Sequence, residues 1–435
     1  MLALAPDAAS QKAGRSLASA GSWPERGSAE DPPSLWGLCR GSGSNPYQTC
    51  VDLTEPAYRC SCPSRKLPCK HVLGLMLMWS AGTVPAASPP DFVTEWLAGR
   101  ADRKEKAAER AATRKPAQRD PRTAQRRAER ITAGVDELER WLADQVRQGL
   151  AGASHAGYRH WDTMAARLVD AQAAGLASSV RRLAAVASSP DQLLTELSLL
   201  RLLTAGYRRL DELPEDLAAT VRTRVGVPVA TADVLAGPRV RDVWTVTGVR
   251  DSVTDDRATF RRTSLHGSTG RPAVVLAFAA PGQPLPMDLL IGTSIDAEVC
   301  FYPGALPLRA LVAERYGSPQ PVDAPPGAVP VATALARYAE ALAAEPWLEL
   351  WPMLLAAVTP VVDGAGQWFL RDAAGDDGAG DDGAGDALPL DPAVGTPWRL
   401  VAQCGGGPAT VAAEWSPAGL RPMTAWIDGR MGVTT

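Results

Sequence analysis

The amino-acid sequence predicts an α+β protein of several domains. We expect a small ββα unit near the N-terminus, a central α-helical region, and a β-rich C-terminal region with additional helices. Three observations predict this order: a cluster of cysteines beside an apolar run, a long stretch with apolar residues every three or four positions, and a series of short β-branched runs separated by Gly, Asp and Pro. The 435 residues are enough for about two to four such units.

The ββα unit is predicted between Trp36 and Trp79. The stretch "WGLCRGSGSNPYQTCVDL" holds a Gly/Ser/Asn/Pro turn signal between runs that contain Trp, Tyr and Val, which predicts two strands or a loosely paired hairpin. The next stretch, "YRCSCPSRKLPCKHVLGLMLMW", ends in an apolar run that predicts a helix packed over those strands. This run is too short to span a membrane.

Four potential metal ligands occur in the pattern Cys60-x-Cys62, six residues, Cys69-x-His71. Residues two apart in a strand point to the same side, so the first two sulfurs can meet at one point, which the last two ligands reach from the start of the helix. Three sulfurs and one imidazole match tetrahedral Zn²⁺ and leave no open position, so the predicted site is structural rather than hydrolytic. The alternative is four unrelated buried side chains, since cysteine is often a small buried hydrophobe.

This pattern resembles the SWIM zinc finger, C-x-C followed by a variable gap and C-x-H, at Cys60, Cys62, Cys69 and His71. The resemblance implies a ββα fold around zinc and a role in binding DNA or protein partners. The larger organisation also looks like bacterial proteins that carry this finger near the N-terminus before a long, poorly characterised region. That likeness implies no reaction.

Basic residues surround the predicted ligands: Arg59, Arg65, Lys66 and Lys70. Three thiolates and one Zn²⁺ sum to a charge of -1, so these cations can balance the site. They can equally contact the phosphates of a nucleic acid. A nucleic-acid partner, a protein partner and a purely structural finger therefore all stay open.

The overall composition limits these partners. The totals of 45 basic and 48 acidic residues give a formal charge of -3, so any surface that attracts a polyanion must be local. Seven cysteines, an odd number, and an opening stretch too short for a signal peptide argue against a disulfide framework. We expect a soluble cytoplasmic protein with no membrane partner.

The middle of the chain is predicted to be helical. Residues 100–130 carry 12 Lys/Arg against 5 Asp/Glu, are rich in Ala, and contain two prolines, which indicates a charged helix or a disordered connector that becomes helical again near Thr123. From Ile131 to about Leu217 the apolar spacing predicts a bundle or repeat-like array, with "SSPD" as a helix cap.

From about Val225 the pattern changes to β. Four runs, "RVRDVWTVTGVRDSV", "RATFRRTSLHG", "RPAVVLAFAA" and "SIDAEVCFYP", predict a small barrel or curved sheet. Residues 331–358, "VATALARYAEALAAEPWLELWPMLLAAV", are interpreted as one or two helices, and the runs around Trp368 and Trp415 as closing strands. Between them, "AGDDGAGDDGAGDA" departs from the nonapeptide rule of calcium repeats and is interpreted as a surface loop.

These patterns divide the chain into six predicted segments. They are an N-terminal extension at 1–35, a SWIM-type finger at 36–80, a basic linker at 81–130, a helical domain at 131–224, a β-rich domain at 225–318, and a mixed α/β region at 319–435 with an acidic Gly/Asp loop at 373–387.

Other cysteines and histidines are weaker candidates. His155 and His160 are five apart and do not share a helical face, and His266 lies in a turn-like "SLHGSTG" that predicts a surface loop. Four further cysteines are interpreted as ordinary thiols: Cys39, Cys50, Cys300 and Cys404.

Several catalytic motifs are missing from the sequence. It contains no G-x-x-x-x-G-K-[ST] nucleotide-binding loop, no H-E-x-x-H, no G-x-S-x-G, and no G-x-G-x-x-G between a predicted strand and a predicted helix. No catalytic residue is therefore assigned, and a binding or adaptor protein is favoured over an enzyme. The alternative is an enzyme of unknown reaction in the C-terminal region, with the finger as a targeting module.

Overall fold

The computed structural model describes residues 8–41, 45–54, 57–64, 68–113, 121–150, 152, 157–253, 259–279, 285–373 and 385–434. They belong to two compact units, the first drawn from residues 1–117, 255–259 and 279–290 and the second from 118–254, 260–278 and 291–435. The predicted α+β class is confirmed, with a cysteine-bearing N-terminal sheet, a central helical bundle and a β-rich C-terminal region. The limits of the six predicted segments stay predictions.

The first unit contains an antiparallel sheet of four strands in sequence order: β1 (Glu25–Glu30), β2 (Pro33–Cys39), β3 (Tyr47–Asp52) and β4 (Ala57–Cys60). Strands β2 and β3 form the predicted hairpin, with Trp36 opposite Cys50. Strand β1 was not predicted. Its sequence, "ERGSAE", has no large apolar residue to mark a strand, and it forms by pairing with β2.

Helices cover both faces of this sheet. Helices α1 (Ala8–Ser16) and α2 (Lys70–Ser80) lie on one side, where α2 packs against Leu35 and Val51, and α3 (Asp91–Thr113) lies on the other, beside Trp36. Gly37 permits this packing, because a Cβ there would lie 2.7 Å from the buried ring of Trp23. No helix in the described part of the chain combines the length and apolar composition needed to cross a bilayer.

The second unit begins with a helical bundle: α4 (Pro121–Gln148), α5 (Gly157–Asp170), α6 (Ala174–Val186), α7 (Pro190–Arg208) and α8 (Glu215–Val225). Its core is built from the predicted periodic residues, including Leu138, Trp161 and Leu176. Ser189 occupies the N-cap position of α7 with Pro190 following it, although the serine side chain makes no capping bond. In the basic segment, residues 100–113 and 121–130 are helical, and residues 114–120 lie outside the described residues.

A closed barrel follows the short helix α9 (Thr231–Leu235). Its strands are β5 (Arg239–Val253), β6 (Thr259–His266), β7 (Pro272–Ala279), β8 (Thr293–Phe301) and β9 (Arg309–Pro321), in the order β5-β6-β7-β9-β8. Of the two predicted arrangements, the barrel is therefore the one formed.

The chain closes with a six-stranded sheet. Its elements are α10 (Val331–Ala344), β10 (Trp351–Val362), β11 (Trp368–Asp372), β12 (Ala387–Pro389), α11 (Trp398–Cys404), β13 (Ala409–Ser416), β14 (Gly419–Ile427) and β15 (Arg430–Val433), with strand order β12-β11-β10-β13-β14-β15. The predicted closing strands near Trp368 and Trp415 are confirmed as β11 and β13.

One predicted helix is wrong. The run "WPMLLAAV" after α10 forms strand β10, which pairs with β11 on one side and β13 on the other. A strand buried on both faces is a continuous apolar run, and its periodicity does not distinguish it from a short buried helix. Of the predicted acidic loop at 373–387, residues 374–384 lie outside the described residues, and Ala387 begins β12.

A buried ion triad connects the barrel to the closing sheet. Glu414 on β13 is 1% exposed and accepts hydrogen bonds from Arg262 Nε at 2.6 Å and Arg250 Nη1 at 2.9 Å. Burial lowers the pKa of Arg262, and the carboxylate of Glu414 opposes that shift. The single carboxylate therefore compensates two guanidinium groups at the junction of two sheets.

Replacing Glu414 by Gln should destabilise the second unit by about 3 kcal/mol, because it leaves two arginines without their shared counter-charge. Urea unfolding followed by tryptophan fluorescence measures the loss. The matched control is Asp296→Asn, which removes the partner of Arg241 in a solvent-accessible ion pair and should leave the unfolding midpoint nearly unchanged. Equal midpoints for Glu414→Gln and wild type would contradict a stabilising role for the triad.

His266 is not in a surface loop as predicted. It is the last residue of β6, is 3% exposed, and its Nδ1 lies 2.9 Å from Thr247 Oγ1. Burial, with a smaller effect of Arg337, lowers the pKa of His266 to about 4. The imidazole is therefore neutral in the folded barrel at pH 7.

The stability of the barrel should consequently fall in acid. Between about pH 6.5 and pH 4 the unfolded state binds a proton at His266 and the folded state does not, so the free energy of unfolding falls as the pH drops through this window, by about 3 kcal/mol in total. Urea unfolding of wild type and His266→Asn at pH 7, 5.5 and 4.5 tests this. The wild type should lose more stability than the variant, and parallel pH profiles would contradict the assignment.

Candidate metal centre

The four predicted ligands come from the end of one strand and the beginning of one helix. Cys60 is the last residue of β4, Cys69 is the N-cap of α2, and His71 lies in the first turn of that helix, as predicted. Cys62 lies just beyond β4 rather than inside a strand. The intervening Ser61 still pairs with β3, because its N–H donates to the carbonyl oxygen of Gln48 at 3.0 Å, and this pairing holds the chain in the direction that β4 sets.

The donor atoms of the four residues converge. The three sulfurs and the imidazole nitrogen all lie within 4.8 Å of one another, and His71 Nδ1 is 3.7 Å from Cys60 Sγ and 3.9 Å from Cys69 Sγ. A tetrahedron with Zn–S near ~2.3 Å and Zn–N near ~2.0 Å has edges of about 3.5 to 3.8 Å. The cluster therefore fits structural Zn²⁺, with Nδ1 as the histidine donor.

Neighbouring side chains orient two of the ligands. Thr49 Oγ1 lies 3.3 Å from Cys60 Sγ across the β3–β4 pair, and the ring of Tyr47 lies beside that of His71 with centroids 4.9 Å apart. Cys69 and His71 are buried, whereas Cys60 and Cys62 are partly exposed. The sequence pattern did not indicate Thr49 or Tyr47, because both lie on β3, which precedes the ligand-bearing segment in the sequence.

The thiols have unequal acidity. The hydrogen bond between Cys60 and Cys69 raises the pKa of Cys60 to about 12, with burial adding to the shift. The same bond is the main cause that lowers the pKa of Cys69, with a smaller contribution from the backbone N–H of Val72 in α2. Cys69 is thus the thiol that most readily ionises, and a bound dication would deprotonate the others.

Two nearby cysteines are outside the ligand group. Cys50 alternates with Thr49 along β3, so it lies on the opposite face of the sheet, against Trp36 and Val93. Cys39 shares the ligand side, but its Sγ faces the carbonyl oxygen of Arg40 at 3.7 Å. Burial is the first cause that raises their pKa values, to about 12 for Cys50 and about 11 for Cys39.

The four basic residues predicted around the ligands are not all together. Lys70 is exposed and directly follows Cys69. Arg59 pairs in register with Cys50 and lies on the opposite face of the sheet from the ligands. Arg65 and Lys66 lie outside the described residues.

The remaining candidates do not form a second metal group among the described residues. His160 Nε2 lies 2.9 Å from Gln145 Oε1, and its ring packs between Trp141 and Trp161. Cys300 and Cys404 are buried. His155 lies outside the described residues.

Cys62→Ser or His71→Ala should abolish stoichiometric zinc binding and unfold the finger locally, because three ligands cannot close the tetrahedron. Elemental analysis gives the metal content, and hydrogen exchange measures the protection of α2 against that of α4–α8, which should be unchanged. Cys50→Ser, a buried cysteine on the other face, is the control and should retain one zinc per chain. Full zinc content in either ligand variant would show that the ligand assignment is wrong.

Comparison with known families agrees with this geometry. A family model described as the SWIM zinc finger matches residues 50–80, which include all four ligands, and a second, described as the SWIM-associated four-helix bundle domain, matches residues 126–225, from α4 to the end of α8. No curated protein and no solved structure matches the chain. The zinc finger suggests an interaction module that binds zinc. The chain is therefore a SWIM zinc finger domain-containing protein.

Proposed function

We propose that the finger contacts nucleic acid through cations beside its zinc ligands. The observation that carries this proposal is a groove of about 600 Å³ bounded by α1, the end of β2 and the ligand residues. Arg40 and Lys70 line this groove together with Tyr47. Both cations are exposed, and neither forms a hydrogen bond or ion pair with its side chain among the described residues.

The charges of the groove suit a phosphate. The zinc centre has a formal charge of -1, which a single cation balances. Lys70 directly follows the ligand Cys69, and its charge opposes the rise that burial causes in the pKa of the neighbouring Cys39. Arg40 is then a second cation at the same groove, and its planar guanidinium can pair with two phosphate oxygens at once.

Two further cations that the sequence predicts as partner contacts, Arg65 and Lys66, lie between Cys62 and Cys69 in the sequence. Of the described residues beside them, Pro68 directly precedes Cys69, and Ser64, two residues after Cys62, lines the groove. Arg65 and Lys66 both lie outside the described part of the chain, and their contact with a nucleic acid or other partner stays a prediction from the sequence. Arg59 is left out of this contact because it lies on the other face of the sheet.

A protein partner is the second candidate, and the surface of the helical bundle favours it. Arginines there are paired with acids of a neighbouring helix, as in Arg208–Asp136, Arg167–Glu137 and Arg181–Asp162. Such a surface of mixed sign suits complementary charges on a protein better than a uniform phosphate backbone. An enzyme in the C-terminal region stays a prediction.

The charge reversal Lys70→Glu should weaken the binding of the full chain to duplex or single-stranded DNA. The negative slope of log affinity against log salt should become less steep by about 0.7 to 0.9, because one phosphate contact is lost. Arg40→Glu should act in the same way. Fluorescence anisotropy across a salt series measures both quantities. The matched control is Arg59→Glu, the same charge change on the opposite face, which should leave the slope unchanged.

Three results would separate the candidates. Loss of affinity in Lys70→Glu but not in Arg59→Glu supports contact at the groove. Equal loss in both variants would show only a general effect of net charge. No binding by the wild type at low salt would reject nucleic acid and favour the protein partner.

A further inference from the structure

A second candidate site lies far from the zinc ligands in sequence, within the second unit. It is a half-enclosed cavity of about 340 Å³ where four parts of the unit meet: α6 and α8 of the bundle, strands β6 and β7 of the barrel, the 302–309 connection after β8, and the 345–350 connection after α10. This volume is within the range of sites that hold small molecules.

One side of the cavity is apolar. Val274 and Leu308 are buried, and Leu276 and Leu306 are partly buried and pack on the same core. These four side chains come from β7 and from the connection between β8 and β9. The cavity can therefore hold the apolar part of a ligand against a rigid barrel wall.

The charges around the cavity do not cancel. Four arginines and two glutamates line it: Arg182, Arg224, Arg262 and Arg309 against Glu345 and Glu349. Because Glu414 also neutralises Arg262, one positive charge among the lining residues is left over. The carboxylates are already engaged, Glu345 by Arg224 and Glu349 by Arg182 at 2.8 Å. Arg262 is held by Glu414 behind the cavity wall.

Arg309 is the arginine without a counter-ion. Its guanidinium lies over the ring of Tyr302, 4.1 Å from the centroid, and its side chain forms no hydrogen bond or ion pair with any described residue. Stacking on the ring restricts the long side chain while all five N–H donors stay available. A planar guanidinium held in this way is suited to bidentate pairing with a carboxylate or phosphate.

Hydroxyl groups complete the polar side of the cavity. Ser178 on α6 and Thr223 on α8 are exposed and line it, while Thr220 Oγ1 is already the acceptor of the Ala305 N–H at 2.9 Å. The first two hydroxyls can hydrogen-bond to remaining oxygens of an acid group or to a polar substituent of the ligand.

We propose that this cavity binds a small organic anion, whose carboxylate or phosphate monoester pairs with Arg309 and whose short apolar body packs on Leu276 and Leu306. The proposal is independent of the zinc finger and of nucleic-acid binding. The apolar wall selects against bare inorganic ions, and the excess positive charge selects against neutral and cationic compounds of the same shape.

Calorimetric titration of the full chain at low salt tests this with hexyl phosphate and hexanoate as probes. At least one of the two should bind saturably with one site per chain, and the comparison between them identifies the preferred acid group. Hexanol should show no saturable binding, and inorganic phosphate should bind about tenfold more weakly than hexyl phosphate. Saturable binding of hexanol, equal binding of the inorganic ion, or no binding of either organic anion would overturn the proposal.

Two variants locate the binding. Arg309→Gln removes the unpaired guanidinium and should reduce the affinity about tenfold or more, and Ser178→Glu should also reduce it by adding a negative charge at the rim from an exposed helical position. The control Arg430→Gln removes an exposed arginine of β15 outside the cavity and should bind like the wild type. Unchanged affinity in both cavity variants would place the binding elsewhere and reject the assignment.

Discussion

The first unit depends on the convergence of four donor atoms at the junction between β4 and α2. Zinc coordination in an isolated finger can contribute ~10 to 16 kcal/mol of folding free energy, which is comparable to the entire stability of a typical domain. Here the sheet also has an apolar core of its own, around Trp23, Leu35 and Val51. The metal therefore fixes the angle between strand and helix, and the groove beside the ligands depends on that angle.

In the second unit, arginine side chains are the main feature of the junction between the barrel and the closing sheet. The barrel and the closing sheet share a carboxylate, Glu414, between two guanidinium groups. One of these, Arg262, also lines the cavity in which Arg309 lies without an ion-pair partner in the described part of the chain. The same junction thus contains an arginine pair that a buried carboxylate neutralises, and an exposed arginine with no ion-pair partner among the described residues, which is available to a ligand.

The metal centre could be predicted from the sequence because its ligands are local. Cys60 to His71 span twelve positions, and the turn of the chain between a strand and a helix is enough to bring them together. The class of fold could be predicted for a similar reason, since helical and strand periodicities are local properties. Strands β5 to β8 of the barrel were predicted from short runs of β-branched or aromatic residues, and α10 was also predicted.

Features that depend on tertiary contacts could not be predicted. The apolar sequence of strand β10 is equally compatible with a buried helix, and it forms a strand because it pairs with two neighbouring strands. Arg40 reaches the zinc groove through the β2–β3 pairing, and Arg309 acquires its surroundings from four distant segments. His266 appeared to be a loop residue because Gly267 follows it, yet the strand extends through it into the barrel core.

The alternation along β3 has a consequence for which metal ligands this chain can use. Thr49 faces the zinc ligands and Cys50 faces Trp36, so the sheet keeps the thiol of Cys50 on the side opposite the three ligand sulfurs. A slip of one residue in the pairing of β3 with β4 would exchange these two side chains and bring a competing sulfur to the metal. The four residue pairs between β3 and β4 therefore help to select the donor set as well as to form the sheet, because this register keeps the sulfur of Cys50 away from the metal.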